Sequence, residues 1–188
     1  TYGTLLLWPF SDARIAWNTI AVIDPLFTLP LLFGVVWGMT KKSVWAPRLA
    51  FLWALVYLGI GALQHDRAVI IGEGLAESRG HVGVSVSAKP TLGNLLLWKV
   101  IYRHEDQFWV DAVRVGDEVQ VYSGGAVAAF NPALHLTWLP DGAQQRKDLA
   151  RFRWFSNDYL AVDVHDPLLV VDMRYSLLPN EIKGLWGI

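Results

Sequence analysis

The sequence predicts an α+β protein, in which an N-terminal transmembrane helical hairpin precedes a small α+β domain with a mostly antiparallel sheet. Three observations carry this expectation. Two long apolar runs occupy the first third of the chain. The composition changes abruptly at His65, beyond which most of the charged residues lie. After that point short β-rich runs alternate with turn signals, while periodicity of the helical kind recurs only in places. Of the 188 residues, 53% are hydrophobic and only 18% charged, which is more apolar than an ordinary soluble domain. The formal net charge of −1 supplies no electrostatic footprint for nucleic acid. With no cysteine, disulfides, thiolate metal sites and cysteine nucleophiles are excluded.

Taken in order, the chain opens on Tyr2-Gly3-Thr4 and an apolar stretch ending at Pro9-Phe10. About ten residues cannot span a bilayer as a helix, so an interfacial or re-entrant segment is expected. Ser11 before Asp12-Ala13-Arg14 reads as a short capped helix start. Residues 20–39 then carry one charge, Asp24, in twenty positions, enough for a spanning helix. Pro30 would kink it, and Gly34 with Gly38 offers a close approach to a second helix. Lys41, Lys42 and Arg48 flank a short loop, and a second apolar run extends from Trp45 to Leu63. The positive-inside rule places the Lys41–Lys42 loop in the cytoplasm. Everything after Gln64 then lies on the outer, periplasmic face. The expected organisation is a membrane region over residues 1–64 and a soluble α+β domain over 65–188.

In the second part, residues 67–79 read as a separate helix ending at Gly80. Alternation at Val82, Val84 and Val86 reads as a strand, and residues 88–94 as a loop. Residues 95–103 and 108–115 form a hairpin about His104-Glu105-Asp106-Gln107. A further strand starts at Glu118 and is interrupted by Ser123-Gly124-Gly125. Residues 144–155 are helical, with Leu149, Phe152 and Phe155 on one face. Residues 159–164 and 168–173 are two last strands around His165-Asp166-Pro167.

Asp24 is the residue whose chemistry most needs a reason. A carboxylate at the edge of hydrocarbon is costly and usually has a partner or a function. Asp before Pro is also a favoured helix start, so local chemistry leaves a cap and a functional group both open. The histidines (His65, His81, His104, His135 and His165) are single and show no ligand spacing. His65 beside Asp66 and Arg67 suits a polar helix end. No nucleophile motif or phosphate loop occurs. Asp172 and Arg174 alternate on one strand and read as a surface or inter-element ion pair of small value.

Tyr2-Gly3-Thr4, the following Leu-Leu-Trp-Pro-Phe-Ser-Asp, and Ile23-Asp24-Pro25-Leu26-Phe27-Thr28-Leu29-Pro30 resemble the YdjM-like inner-membrane proteins, which are described as membrane-bound metal-dependent hydrolases. Residues 93–98, 171–176 and 185–188 extend the resemblance along nearly the whole chain. It implies a bacterial inner-membrane location and a divalent metal ion such as zinc. It also implies that Asp24 is a metal ligand or the orienting partner of one. In that family a histidine-bearing helix precedes the Tyr-Gly-Thr motif. The chain is therefore expected to be the C-terminal portion of a longer protein. Its partners would be membrane lipid and those N-terminal helices, with no nucleic acid, and alone it would be inactive. The alternative is a non-catalytic membrane-anchored binding or structural module.

Overall fold

The structure is a computed structural model that describes residues 3–188; Tyr2 of the opening motif lies outside the described residues. Helix α1 (Pro25–Lys41) and helix α2 (Trp45–Ser78) run antiparallel. Strands β1 (Val86–Pro90), β2 (Leu97–His104), β3 (Gln107–Val115) and β4 (Val119–Ala128) form an antiparallel four-stranded meander. A short helix α3 (Pro132–His135) and helix α4 (Gln144–Phe155) follow, then an antiparallel pair, β5 (Leu160–Val162) and β6 (Val170–Asp172). The α+β class and the mostly antiparallel sheet are as the sequence predicts.

The segment before α1 makes turns over residues 6–10 and an isolated bridge between Thr4 and Ile15, and Ser11 Oγ accepts a local hydrogen bond from the Ala13 amide. The helix start expected at Ser11 does not form. The apolar run at residues 20–39 becomes α1, only 17 residues long, because Asp24-Pro25 starts the helix later than hydropathy alone suggests. Lys42 closes it in the left-handed conformation, its amide bonding to Gly38 O. Among the described residues one helix, α2, is long and apolar enough to cross a membrane by length and composition. In its most apolar eighteen residues only 17% is buried, unlike a core helix. Leu49, Phe51, Leu52, Leu55 and Leu63 all face outward, as a lipid-facing surface requires.

The second helix continues well past the expected end at Leu63. Gly59 and Gly61 suggest a stop, but no cap or proline follows them, and each mid-helix glycine costs only about 1 kcal/mol. The separate helix expected at residues 67–79 is therefore the distal third of α2. Ala68, Gly72 and Ala76 are buried against the sheet, where Trp98, Val100, Val113 and Val115 form one core. Ile101, Phe108, Val110 and Val127 face the other side and meet Ala161, Val171 and Met173 of the β5–β6 layer. A third cluster seats α4 through Leu149 against Phe130, Leu160 and Val170. Strand β2 is thus covered on both faces, which explains its near-continuous apolar run.

Two strand assignments differ from expectation. The first strand begins at Val86 rather than Val82 and includes residues 88–90, so only residues after Pro90 form the loop. Strand β4 runs through Ser123-Gly124-Gly125, because a bulge between Val110 and Asp111 absorbs the irregularity. A side chain at Gly124 would collide with the carbonyls of Val110 and Asn180, so the glycine admits a close backbone approach rather than ending the strand.

Gly72 and Gly74 test the helix–sheet contact. A Cβ at Gly72 would lie 2.6 Å from Val100 Cγ1 and 2.8 Å from Val86 Cγ1, whereas one at Gly74 meets nothing within 4 Å. Gly74→Ala is expected to stabilise by up to about 1 kcal/mol. Gly72→Ala should instead destabilise by about 1–3 kcal/mol through overpacking. Chemical denaturation in detergent micelles, followed by tryptophan fluorescence, reads both.

Candidate functional site at the mouth of the helical pair

Asp24 is the N-cap of α1. Its backbone is extended (φ −133°, ψ 97°), Pro25 follows at the first helical position, and Oδ1 accepts a hydrogen bond from Phe27 N at 3.2 Å. The carboxylate is only 3% exposed, so the cap alone would leave it under-solvated. Tyr57, from the middle of α2, completes it: the phenol hydroxyl lies 3.0 Å from Oδ1 and 2.9 Å from Oδ2. The positive end of the α1 dipole adds further stabilisation. The rings of Phe27 and Trp53 stand 5.8 and 5.5 Å from the Tyr57 ring and shield the contact.

One turn further, Pro30 has no N–H to give to the carbonyl of Leu26. The indole N–H of Trp53 donates to that carbonyl at 3.1 Å. The two polar groups exposed by this helix start are therefore both met by aromatic side chains of α2. Deeper in the pair, a Cβ at Gly34 would collide with Ala50, and one at Gly38 would lie 2.8 Å from Pro47 Cδ. These glycines set the close approach that lets Tyr57 reach Asp24. On the sheet side, Gly93 N donates to Ile23 O at 3.3 Å, and Gln64 Nε2 donates to Val115 O at 2.7 Å.

The histidines do not gather here. His65 is two turns beyond Tyr57, 3.2 Å from Asp66 and edge-on to Trp98. His135 accepts from Asn131 N, and His165 is exposed in its turn. His81 and His104 stack with ring centroids 3.9 Å apart at the far end of α2. There Arg79 forks onto Asp111 at 2.6 and 2.9 Å, and both Arg79 and His81 reach the Tyr102 hydroxyl. Desolvation, then the charges of His104 and Arg79, pushes the His81 pKa below its ordinary value. Residues 57 and 79 are separated by about 33 Å of helix, so this cluster and Asp24 do not share a site. Among the described residues no group of three or more His, Asp or Glu side chains converges as a metal site would require. The donors present therefore do not make a metal centre by themselves. A carboxylate offers about four lone-pair positions, and Asp24 already accepts from the Phe27 amide and the single Tyr57 proton, so it fits at most one ligand of a centre completed from elsewhere.

Asp172 and Arg174 also differ from expectation. They are buried, not superficial, at 0% and 2% exposure, and Arg174 Nη2 sits 2.6 Å from Asp172 Oδ2 with Nε bonded to both oxygens. The reason is that β6 is covered by the C-terminal segment, where Trp186 O and Ile188 O accept from the Asp172 and Val170 amides.

Residues 1–68 match the family model described as YdjM inner membrane protein. The N-terminal part of this chain is YdjM-like. The match takes in the Asp24 cap, α1 and α2 as far as Ala68, and hence every residue of the Asp24–Tyr57 contact. Residues 69–188 lie outside it, including the later stretches of the resemblance. Searches of curated proteins and of solved structures return no match. That similarity, with one helix long and apolar enough to cross a membrane, supports an inner-membrane location.

Tyr57 was not legible as a partner of Asp24. The one available signal was a phenol in an otherwise apolar run, because a buried tyrosine hydroxyl normally finds a hydrogen-bond partner. Tyr57→Phe is expected to destabilise the protein by about 1.5–3 kcal/mol, the usual worth of a hydrogen bond to a charged group. A melting curve in detergent against wild type checks it, and an unchanged midpoint would show that Asp24 is satisfied without the phenol.

Proposed function

We propose that the chain is a membrane-anchored module that holds its α+β part, residues 65–188, against the periplasmic surface of the inner membrane. The observation that carries this reading is the single α2 helix, lipid-facing at one end and buried in the sheet core at the other. A rigid helix through the boundary supports the β-sheet at a fixed height over the bilayer. The cationic loop at Lys41, Lys42 and Arg48 supports the orientation. Ser43→Cys provides the test, since the chain has no cysteine of its own. In intact cells the introduced thiol is expected to resist a membrane-impermeant maleimide and to react after permeabilisation. Labelling from outside would place the sheet in the cytoplasm.

A second reading is favoured by one observation, the nearly complete burial of a carboxyl side chain at the head of an apolar helix pair. On this reading Asp24 serves a membrane-bound metal-dependent hydrolase. It would hold or orient a divalent metal such as zinc, with the remaining ligands from outside residues 3–188, including N-terminal helices of the same protein. The metal would supply Lewis acidity toward a phosphoester or lipid-like substrate. This chain's own residues would keep the carboxylate oriented through Tyr57 and the Phe27 amide. Asp24→Asn in the full-length protein separates the readings. The anchoring reading expects metal content and fold unchanged, because Asn caps about as well as Asp. A fall in metal affinity of about 10- to 100-fold, with the fold intact, would establish the metal role.

A further inference from the structure

Position along α2 fixes the height of each segment packed against it. The exposed apolar stretch of the helix ends at Leu63, and Gln64-His65-Asp66-Arg67 follows. Tyr57, which holds Asp24, lies about 9 Å of helix before Leu63. Gly61, against which the Thr19 carbonyl rests, lies about 3 Å before it. Ile23, the neighbour of Asp24, therefore stands within the apolar stretch. The loop between β1 and β2 reaches the same depth. Gly93 N donates to Ile23 O at 3.3 Å, and a Cβ at Gly93 would lie 3.6 Å from Pro25 Cδ. Beside this contact Leu92 is 71% exposed, and Leu96 is exposed as well.

Backbone at hydrocarbon depth must have its polar groups met from within the protein, and this loop is built that way. Asn94 Oδ1 accepts from the amides of Leu96 and Leu97 at 2.9 and 2.7 Å, while its Nδ2 donates to Thr91 Oγ1 and to Leu92 O. Leu97 O accepts from both the amide and the hydroxyl of Thr91. Leu96 O accepts from Val115 N at 2.7 Å, and Leu95 O from the Trp98 indole at 2.9 Å. The polar side chains of the loop are thus turned onto its own backbone, and leucines are left outside. Neither residues 90–98 nor residues 15–23 include a charged side chain. In the second of these stretches, Trp17 and Ile20 line one surface cleft with Leu6, and Trp17 is exposed, as an interfacial aromatic would be.

We propose that the loop at residues 91–96 inserts Leu92 and Leu96 into the leaflet on the sheet side of the membrane, so that bilayer lipid is the partner of this face. The occupant follows from continuity. These leucines extend the exposed apolar surface of α1 and α2 at the same height, with no charge between. The α+β part is then seated in the bilayer at its near edge as well as tethered by α2. The proposal rests on α2 crossing the bilayer, as in the anchoring reading, and not on which face is periplasmic.

The full chain in nanodiscs tests it, with single introduced cysteines carrying an environment-sensitive fluorophore. Leu92→Cys is the test position. Leu52→Cys, in the apolar stretch of α2, is the reference for hydrocarbon, and Val82→Cys, beyond the distal end of α2, is the reference for water. The Leu92 label is expected to emit to the blue of the Val82 label, to lose intensity with nitroxide-bearing phospholipid, and to resist aqueous iodide as the Leu52 label does. A water-exposed Leu92 label beside a lipid-exposed Leu52 label would overturn the insertion and leave the anchoring reading standing. A water-exposed Leu52 label would overturn both. Wild type gives a reading independent of any variant's folding. After photolysis with a phospholipid carrying a diazirine on its acyl chain, adducts are expected within residues 91–97 as well as in α2. Adducts in α2 with none in residues 91–97 would equally overturn the proposal.

Discussion

One stripe along α2 governs the rest of the molecule. Its buried positions are Ala50, Tyr57, Gly61, Gln64, Ala68, Gly72 and Ala76, a row spaced mostly by three or four residues, as one helical face demands. The proximal end of the row receives α1, the middle receives the segment before α1 and the loop after β1, and the distal end receives the sheet. Nearly every member is small. That is a geometric requirement: Gly61 admits the Thr19 carbonyl and Gly72 admits two valine side chains of the sheet. The two larger members are polar and stand where the surroundings change. Tyr57 faces the α1 start, and Gln64 faces the backbone carbonyls of Leu95 and Val115.

This stripe also explains which parts of the fold were legible in the sequence. Residues 144–155 were readable as a helix because α4 is amphipathic over a solvent-facing surface, and its bounds match. The β2–β3 hairpin was readable from its polar turn. The continuity of α2 was not, since its face carries glycines and alanines where an amphipathic pattern would carry leucines. The change in composition at His65 marks where the helix passes from its exposed apolar stretch to the sheet, not where it ends. Strand β4 was obscured similarly: Gly124 reads as a break, although the bulge it permits keeps the strand paired.

The candidate site was half legible. Asp24-Pro25 announced a helix start, and the Phe27 amide bond realises it. The other half depends on a contact across 33 residues, which no local pattern encodes. Asp172 and Arg174 misled for the reverse reason. An alternating acid and base on a short strand looks solvated, but the chain that covers it comes from the C-terminal residues, whose path has no periodic signature.

The buried charges fall into two kinds. Asp24 is contained by its own neighbourhood. The cap amide, the Tyr57 hydroxyl and the α1 dipole all act on one carboxylate, so its burial follows from building a helix start beside hydrocarbon. Asp172 with Arg174 is likewise self-contained, a fork with both oxygens engaged. Lys89 and Lys99 are different in kind. They repel one another across a ladder, and their opposite charges are shared with Arg174 or approach from one side only. Each ammonium is instead met by neutral acceptors of the chain, Asn18 Oδ1 for Lys89, and Ser176 Oγ with the Glu181 carbonyl for Lys99.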